Sequence, residues 1–505
     1  MTAARLAATG RFAFDIPEQD VQPVSSLPQT PRGLTGALRS PAWPAMLGAV
    51  YWLLGPTACA WVNPLLGSLG TFLTYAVVRS IAGTRTAVAS SCLLAVNAVW
   101  IDASNGAMSD LPAAVLALLA MALACVAVEA GDPRRRTLAL CAAGAASSDP
   151  AFLVRFPGAL AILAPLARIL AGPGSRKARA RDAAVLAAPF ALVSALILPY
   201  QLAVHGTLHS HQISATMPHL SAAHLRDGFF AFVKAMTSLR LVALFLPALL
   251  GLGLLLARSP ARAAIFATWT LPVIALHALL PGGDDAQSLR LFLMSVPAQA
   301  ALAAFALVVV VEALTASAPR LAPLLLTLLV AVSSIAALRE ARASLAAADD
   351  RYLRVRALDR MASSAPEGAT ILAMRNKLAT LAFLHPRRWE LLAVNQAKAS
   401  GPVAATSLSD AWRDRIVIWP ADWRVLAPNN QRRIERRLGE GRRVFLLLDR
   451  KSEDACKTAI GRTLTITEAG PKMGVYALFE LTPRGVPASA VPPSPPAGEP
   501  APSTP

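Results

Sequence analysis

Residues 110–129 read DLPAAVLALLAMALACVAVE, a run of eighteen uncharged residues between Asp110 and Glu129. A transmembrane helix needs about 20 predominantly apolar residues, so this segment predicts a membrane-spanning helix. Nine further apolar segments lie between Pro41 and Leu338, at 57–78, 86–101, 137–147, 152–170, 183–203, 239–257, 263–280, 290–311 and 321–338. The sequence therefore predicts a mainly α fold class, a polytopic membrane helical bundle of about ten spans.

Composition supports a membrane protein and argues against a soluble enzyme with a single core. Of the 505 residues, 55% are hydrophobic and 15% are charged. The net charge of +18 does not indicate a nucleic-acid partner, because much of the excess basic charge lies in or between the apolar segments, where it sets membrane topology. The five cysteines show neither a disulfide framework nor a CxxC metal site.

The loops between the apolar segments alternate in charge. One set carries thirteen Lys/Arg, in loops holding Arg79 and Arg85, Arg134 to Arg136, Arg168 to Arg181, Arg258 and Arg262, and Arg320. The intervening loops carry Arg155, Arg226, Lys234, Arg240 and Arg290. The positive-inside rule makes the first set cytoplasmic, and it places Asp110, Arg290 and the C-terminal region outside.

Both ends of the membrane region have distinct patterns. Residues 1–56 hold no segment long enough to span, and Pro41–Gly55, with Trp43 and Trp52, predicts a helix lying at the outer interface. The transmembrane domain is then expected over 57–340. Segment 137–147 is short and runs into Ser147, Ser148, Asp149 and Pro150, which predicts a broken helical hairpin facing an internal site. Close contact between helices is predicted at Gly67 and Gly70.

After residue 340 the pattern changes to β-rich runs interleaved with helical stretches. The runs lie at 369–374, 415–419, 443–449, 463–467 and 474–481, and the helical stretches at 376–384 and 428–440. An extracytoplasmic α/β domain is predicted for 341–485. Residues 486–505, rich in Pro, Ala and Ser, predict a disordered tail.

Two acidic residues are candidate catalytic groups. Asp110 begins a membrane segment at the outer face, where a carboxylate could bind a metal, hold a phosphate-bound metal or orient an acceptor hydroxyl. The structural alternative is that Asp110 is the N-cap of its helix, with Pro112 in the first turn. Asp15 belongs to an N-terminal group of acids expected near the outer entrance.

Basic residues on the outer side are candidate phosphate ligands. Arg155 and Arg290 lie where the positive-inside rule disfavours them, which suggests that they bind a phosphate, although snorkelling to lipid headgroups explains each as well. His205, His209 and His211 belong to a loop with five of the seven histidines. Metal binding, substrate contact and an ordinary interfacial loop remain open for this loop, because no Cys, Asp or Glu lies at a matching interval.

Several runs resemble the GT-C glycosyltransferases, the superfamily that includes protein mannosyltransferases and lipid A aminoarabinose transferases. The resemblance covers about residues 1–340. It rests on SPAWPAMLGAVYWLLGPTACAWVNPLLGSLGTFLTYAVVRSIAG, NAVWIDASNGAMSDLPA, AAGAASSDPAFLVRFPGAL, PYQLAVHGTLHSHQIS and SLRLFLMSVPA.

The resemblance implies an inverting enzyme that takes a sugar from a polyprenyl-phosphate donor at the outer face of a bacterial cytoplasmic membrane. The acceptor would be a lipid, a glycan or a protein. Asp110 matches the acid at the outer start of a membrane segment, and Arg155 and Arg290 match arginines expected to contact phosphate. A divalent cation such as Mg²⁺ or Mn²⁺ often assists in this superfamily.

The N-terminus departs from the superfamily pattern. Residues 1–12, MTAARLAATGRF, resemble the end of a stretch whose Asp is the catalytic acid, so the first helix and that acid are expected before Met1. Residues 1–56 would then be the remnant of the first outer loop. A catalytically inactive relative that binds a lipid-linked glycan is the second interpretation, and a transporter, for which no inverted repeat is evident, is the third.

Overall fold

The structure is a computed structural model that describes residues 14–15, 34–35, 42–106, 109–148, 160–205, 226, 229–230, 233, 242–279, 290–373, 390–393, 428–449, 464–469 and 476–483. Helices dominate the first two thirds of the chain. They are α1 Ala42–Ala82, α2 Thr84–Ala95, α3 Ala98–Ser104, α4 Asp110–Glu129, α5 Pro133–Ser148, α6 Leu163–Leu170, α7 Arg176–His205, α8 Val242–Arg258, α9 Pro260–Leu279, α10 Val296–Leu314 and α11 Ala322–Ala362. A 3-10 segment, Arg290–Ser295, precedes α10, and a second, Pro319–Leu321, precedes α11.

A described helix lies at each of the ten predicted apolar segments, and the mainly α fold class is confirmed. Within the described ranges, four helical stretches are long and apolar enough to span a membrane: Thr57–Ala82, Asp110–Glu129, Phe292–Leu314 and Pro319–Arg339. The pair α2 and α3, bent by 62°, would make a fifth.

Helix α1 is divided at Gly55, whose φ of 81° places it outside the helical region. The part before this kink, Ala45–Gly55, is apolar, and the part after it is the first span. Trp43 is buried, whereas Trp52 is 73% exposed. The predicted helix ending at Gly55 is therefore present, and its position at the membrane interface stays a prediction.

The predicted break after residue 147 differs in the structure. Ser147 and Ser148 are the last residues of α5 and are fully buried. Their hydroxyls donate to the carbonyls of Ala143, at 2.8 Å, and Ala145, at 2.6 Å. This bonding satisfies serine hydroxyls inside a helix, so the helix ends at Ser148, one residue beyond the predicted segment, and the broken hairpin stays a prediction. Asp149 and Pro150 lie outside the described residues.

Gly67 and Gly70 are at the contact between α1 and α3, as predicted. A Cβ added to Gly70 would lie 2.6 Å from the ring of Trp100, and one added to Gly67 would meet the Ser104 hydroxyl. The indole N–H of Trp100 donates to the Gly67 carbonyl at 3.2 Å. The absence of side chains at the two glycines thus allows a buried tryptophan to reach the α1 backbone.

We expect Gly70→Ala to lower the free energy of unfolding by about 1–3 kcal/mol, because the new methyl group overlaps the Trp100 ring. The matched control is Gly253→Ala in α8, where an added Cβ meets nothing within 4 Å. That variant should be as stable as the wild type or more so. Thermal melting of the purified protein in detergent compares the two. Equal melting temperatures would contradict the tight contact.

A five-stranded sheet follows the helices, in the order β4-β3-β5-β7-β6. Its strands are β3 Thr370–Ala373, β4 Glu390–Ala393, β5 Val444–Asp449, β6 Leu464–Glu468 and β7 Tyr476–Pro483, and helix α12, Pro428–Gly439, precedes β5. Strands β4, β3 and β5 are parallel, whereas β7 is antiparallel to β5 and β6. Two further strands, β1 Phe14–Asp15 and β2 Leu34–Thr35, form an antiparallel pair.

The two faces of the sheet have separate apolar cores. The C-terminal end of α11 packs on one face through Leu358 and Met361. Helix α12 packs on the other through Ile434. Alternation along β5 produces this division, since Phe445 and Leu447 face α11 while Leu446 faces α12. A helix on each face of a mixed sheet is an α/β arrangement.

An ion pair links β7 to the residue that precedes β5. The guanidinium of Arg443 donates two hydrogen bonds to the Glu480 carboxylate, at 2.7 and 2.9 Å. The hydrogen bonds from Arg443 to Glu480 raise the pKa of Arg443 above its ordinary value. Such bidentate pairing fixes the register of the two strands.

Most predicted elements of this domain are present. Four of the five predicted β runs and the helix at 428–440 match described elements. Strand β4 was not predicted. The predicted strand at 415–419, the helix at 376–384 and the tail at 486–505 lie outside the described residues.

Candidate functional site

Asp110 is the first residue of α4 and is only 5% exposed. Ser109 occupies the N-cap position, and its carbonyl accepts the Ala113 amide at 3.2 Å. The interpretation of Asp110 as the N-cap was therefore wrong by one residue, because the first intrahelical bond starts at Ser109. A carboxylate in the first helical turn is favoured by the helix dipole. Asp110 is thus a buried acid at the end of a membrane-spanning helix.

The 3-10 segment Arg290–Ser295 packs directly against α4. It also contacts α3, α9 and α10, so it lies where four helices meet. The segment that starts at Arg290 and the helix that starts at Asp110 are neighbours in the fold. The Arg290 side chain itself lies outside the described residues.

Side-chain hydrogen bonds hold the 3-10 segment in place. The Ser295 hydroxyl donates to the Phe292 carbonyl at 2.7 Å, and the Gln299 amide donates to the Ser295 hydroxyl at 2.9 Å. The indole N–H of Trp269 donates to the Met294 carbonyl at 3.0 Å. Because a 3-10 segment bonds its own backbone less well than an α-helix, these donors stabilise its conformation. The C-terminal half of the 3-10 segment is therefore hydrogen-bonded to α9 and α10.

Gln299 adds a polar atom to this buried region. It is 2% exposed, and its Oε1 has no hydrogen-bond partner among the residues that the structure describes. A buried acceptor of this kind costs about 1–3 kcal/mol unless a donor reaches it. Sequence analysis missed Ser295 and Gln299. The available signal was two polar residues, four apart, near the start of an apolar segment.

Hydrogen bonds from two asparagine side chains fix the backbone conformation of the segment that leads to Asp110. The Asn97 side chain accepts the amides of Val99 and Trp100, both at 3.1 Å, and thereby caps α3 after the 62° bend. The Asn63 amide donates to the Gly106 carbonyl. These bonds fix both ends of the short α3 and the turn that follows it. Neither asparagine was predicted as a site residue.

The other predicted site residues are only partly described. Asp15 lies in β1, opposite Leu34 in β2, and His205 is the last residue of α7. Their side chains, together with Arg155, His209 and His211, lie outside the described residues. Within the described ranges, no group of three or more His, Cys, Asp or Glu side chains is placed to hold a metal ion.

Both the sequence and the fold resemble those of known proteins. Residues 40–201 match the family model of dolichyl-phosphate-mannose-protein mannosyltransferases. The fold matches apo ArnT from Cupriavidus metallidurans with a TM-score of 0.58 at 13% identity, over 95% of this chain and 91% of ArnT. The chain has the GT-C fold. No curated protein sequence matches it.

Two further solved structures resemble this protein in fold. ArnT from C. metallidurans bound to undecaprenyl phosphate matches with a TM-score of 0.55 at 14% identity, over 95% of this chain and 92% of that one. The oligosaccharyltransferase AglB from Archaeoglobus fulgidus, in complex with an inhibitory peptide and a dolichol-phosphate, gives 0.53 at 13% identity, over 96% and 70%. Similarity at this level of identity shows a shared fold.

Proposed function

We propose that this protein transfers a sugar from a polyprenyl-phosphate-linked donor to a lipid, glycan or protein acceptor at the outer face of a bacterial cytoplasmic membrane. The observation that carries the proposal is the packing of α4, the helix that begins at buried Asp110, against the 3-10 segment that begins at Arg290. A carboxylate and a guanidinium near each other at the outer face would suit a reaction in which a hydroxyl loses its proton and a phosphate leaves. The polyprenyl and dolichol phosphates bound by proteins of this fold support the donor class.

In the proposed reaction, the acceptor hydroxyl oxygen attacks the anomeric carbon of the sugar. The bond between that carbon and the phosphate oxygen breaks, and the configuration at the carbon inverts. The Asp110 carboxylate takes the hydroxyl proton or orients the hydroxyl, and its location inside the protein strengthens that interaction. Asp15 is the second candidate for this role.

The leaving group is polyprenyl phosphate, whose negative charge grows as the bond breaks. Arg290 and Arg155 are proposed to bind it, because a guanidinium forms two parallel hydrogen bonds with a phosphate. His205, His209 and His211 are proposed to contact the sugar or phosphate. The hydrogen bonds through Ser295 and Trp269 would hold the Arg290 backbone steady during this step.

The test is an in vitro assay with the purified full chain, a panel of radiolabelled polyprenyl-phosphate sugars and membrane extracts as acceptors. We expect one sugar to pass to an acceptor with release of polyprenyl phosphate. Binding of undecaprenyl phosphate without transfer of any sugar would indicate an inactive lipid-glycan binding subunit instead. Movement of the lipid-linked sugar across liposomes without transfer would favour a transporter.

The proposed orientation can be tested separately by cysteine labelling in intact cells. In a variant with the native cysteines replaced by alanine, Gly283→Cys should react with a membrane-impermeant maleimide and Gly174→Cys should not. Gly174 lies in the basic connection between α6 and α7, which the positive-inside rule places in the cytoplasm. Permeabilised cells control for reactivity, since both positions should then label. The reverse pattern in intact cells would overturn the orientation.

A further inference from the structure

One end of the helical bundle is fixed at a membrane surface by two spans. Thr57–Ala82 and Asp110–Glu129 both end there, and the Ser80 hydroxyl donates to the Glu129 carboxylate. The Arg168 guanidinium of α6 donates to the same hydroxyl at 3.4 Å. Side chains at the ends of α1, α4 and α6 are therefore level with one another at this surface.

Helices α5 and α7 begin at this same surface and run in the same direction. Only three residues separate the end of α4 from the start of α5. Arg136 of α5 forms an ion pair with Asp182 of α7, and further along the helices Gly144 lies against the Leu186 backbone. The first turns of the two helices are consequently neighbours.

Five exposed cations lie in the first two turns of these helices: Arg134, Arg135, Arg176, Lys177 and Arg181. We call them the basic patch. They form no ion pair with any residue that the structure describes. The nearby carboxylates already have other partners. Asp132 accepts the Arg135 backbone amide at 2.8 Å, Asp182 pairs with Arg136, and Glu129 accepts the Ser80 hydroxyl.

Apolar side chains border the basic patch. Leu138, one turn further along α5, is 71% exposed, and Leu170, at the end of α6, is 51% exposed. Exposed leucines beside unneutralised cations, at the level where two spans end, match the boundary between acyl chains and headgroups. Neither feature is explained by contacts within the described protein.

We propose that the basic patch binds the headgroups of anionic phospholipids in the leaflet that surrounds this end of the bundle. The cations of α5 and α7 contact the lipid phosphates, while Leu138 and Leu170 contact the acyl chains. The site is separate from the proposed sugar transfer at the opposite end of α4. It gives this protein a dependence on membrane composition that does not involve the donor lipid.

Native mass spectrometry of the purified full chain, released from nanodiscs of phosphatidylcholine with or without phosphatidylglycerol, tests the proposal. Wild-type protein should retain phosphatidylglycerol in preference to phosphatidylcholine. Arg134→Gln/Arg135→Gln and, separately, Arg176→Gln/Lys177→Gln should each weaken that retention by roughly tenfold to thirtyfold, because each basic residue near a lipid surface contributes substantially to binding. All substituted side chains are exposed, so folding should be unchanged, and the thermal melting temperature checks this.

The matched control is Arg436→Gln/Arg442→Gln, which removes two exposed cations from the sheet domain, where both pair with Glu440. It should retain phosphatidylglycerol as the wild type does. If the control lost phosphatidylglycerol to the same extent, the effect would be a general one of charge and the proposal would be overturned. A wild-type protein that retained both lipids equally would also overturn it. Displacement of the lipid by inorganic phosphate at matched concentration would identify a free-anion site and would also overturn it.

Discussion

Asp110→Asn is expected to lower the rate of sugar transfer by about 10²–10⁴-fold while leaving the protein folded in the membrane. Asparagine has nearly the same shape as aspartate, so the buried start of α4 should keep its packing. The substitution removes the negative charge and the oxygen that would accept the proton. Transfer from a labelled polyprenyl-phosphate sugar measures the rate, and binding of undecaprenyl phosphate should stay near the wild-type level.

The matched control is Asp132→Asn, the same chemical change at the opposite end of α4. Asp132 accepts the Arg135 amide ahead of α5, and asparagine can accept that bond equally well. This variant should transfer sugar at the wild-type rate. If Asp110→Asn also did so, Asp110 would have no catalytic role, and Asp15→Asn would be the next variant to measure.

Arg290→Ala is expected to weaken binding of undecaprenyl phosphate by roughly tenfold to a hundredfold, because hydrogen bonds to a charged group contribute about 1.5–3 kcal/mol. Arg290→Lys should recover part of the affinity, since lysine keeps the charge but lacks the bidentate geometry. Native mass spectrometry or fluorescence titration with undecaprenyl phosphate measures this without knowledge of the sugar.

Arg320→Ala is the control for Arg290, because Arg320 is exposed at the far end of α10. It should bind undecaprenyl phosphate as the wild type does. Wild-type affinity in Arg290→Ala would remove this residue from the phosphate site. The result for Asp110 would still stand, because the two measurements report on different steps.

Apolar periodicity and loop charge were enough to predict where helices lie. They could not predict where the helices end, since those positions depend on local hydrogen bonds. Ser147 and Ser148 extend α5 because their hydroxyls bond to its backbone, whereas a serine pair before a proline resembles a loop in sequence. The short strand β4 was missed because its four residues gain stability from pairing with β3, a distant contact.

In the candidate site, too, some residues could be predicted from the sequence and others could not. Asp110 is recognisable because a carboxylate at the start of an apolar segment is unusual. Asn63, Asn97 and Gln299 were not recognised, since their roles depend on which carbonyls and amides the fold brings near them. The neighbourhood of α4 and the Arg290 segment likewise joins parts of the chain 180 residues apart, and only the packing of the helices places them together.

Helix α11 begins at Ala322 within the span Pro319–Arg339 and continues unbroken to Ala362, across the boundary predicted at residue 340. At 1.5 Å per residue its 41 residues make a rod roughly 60 Å long. Its far end belongs to the apolar core of the sheet, through Leu358 and Met361. Helix α11 also packs against α3, whose end leads through a short turn to Asp110. One continuous helix therefore connects the sheet domain mechanically to the neighbourhood of the candidate acid.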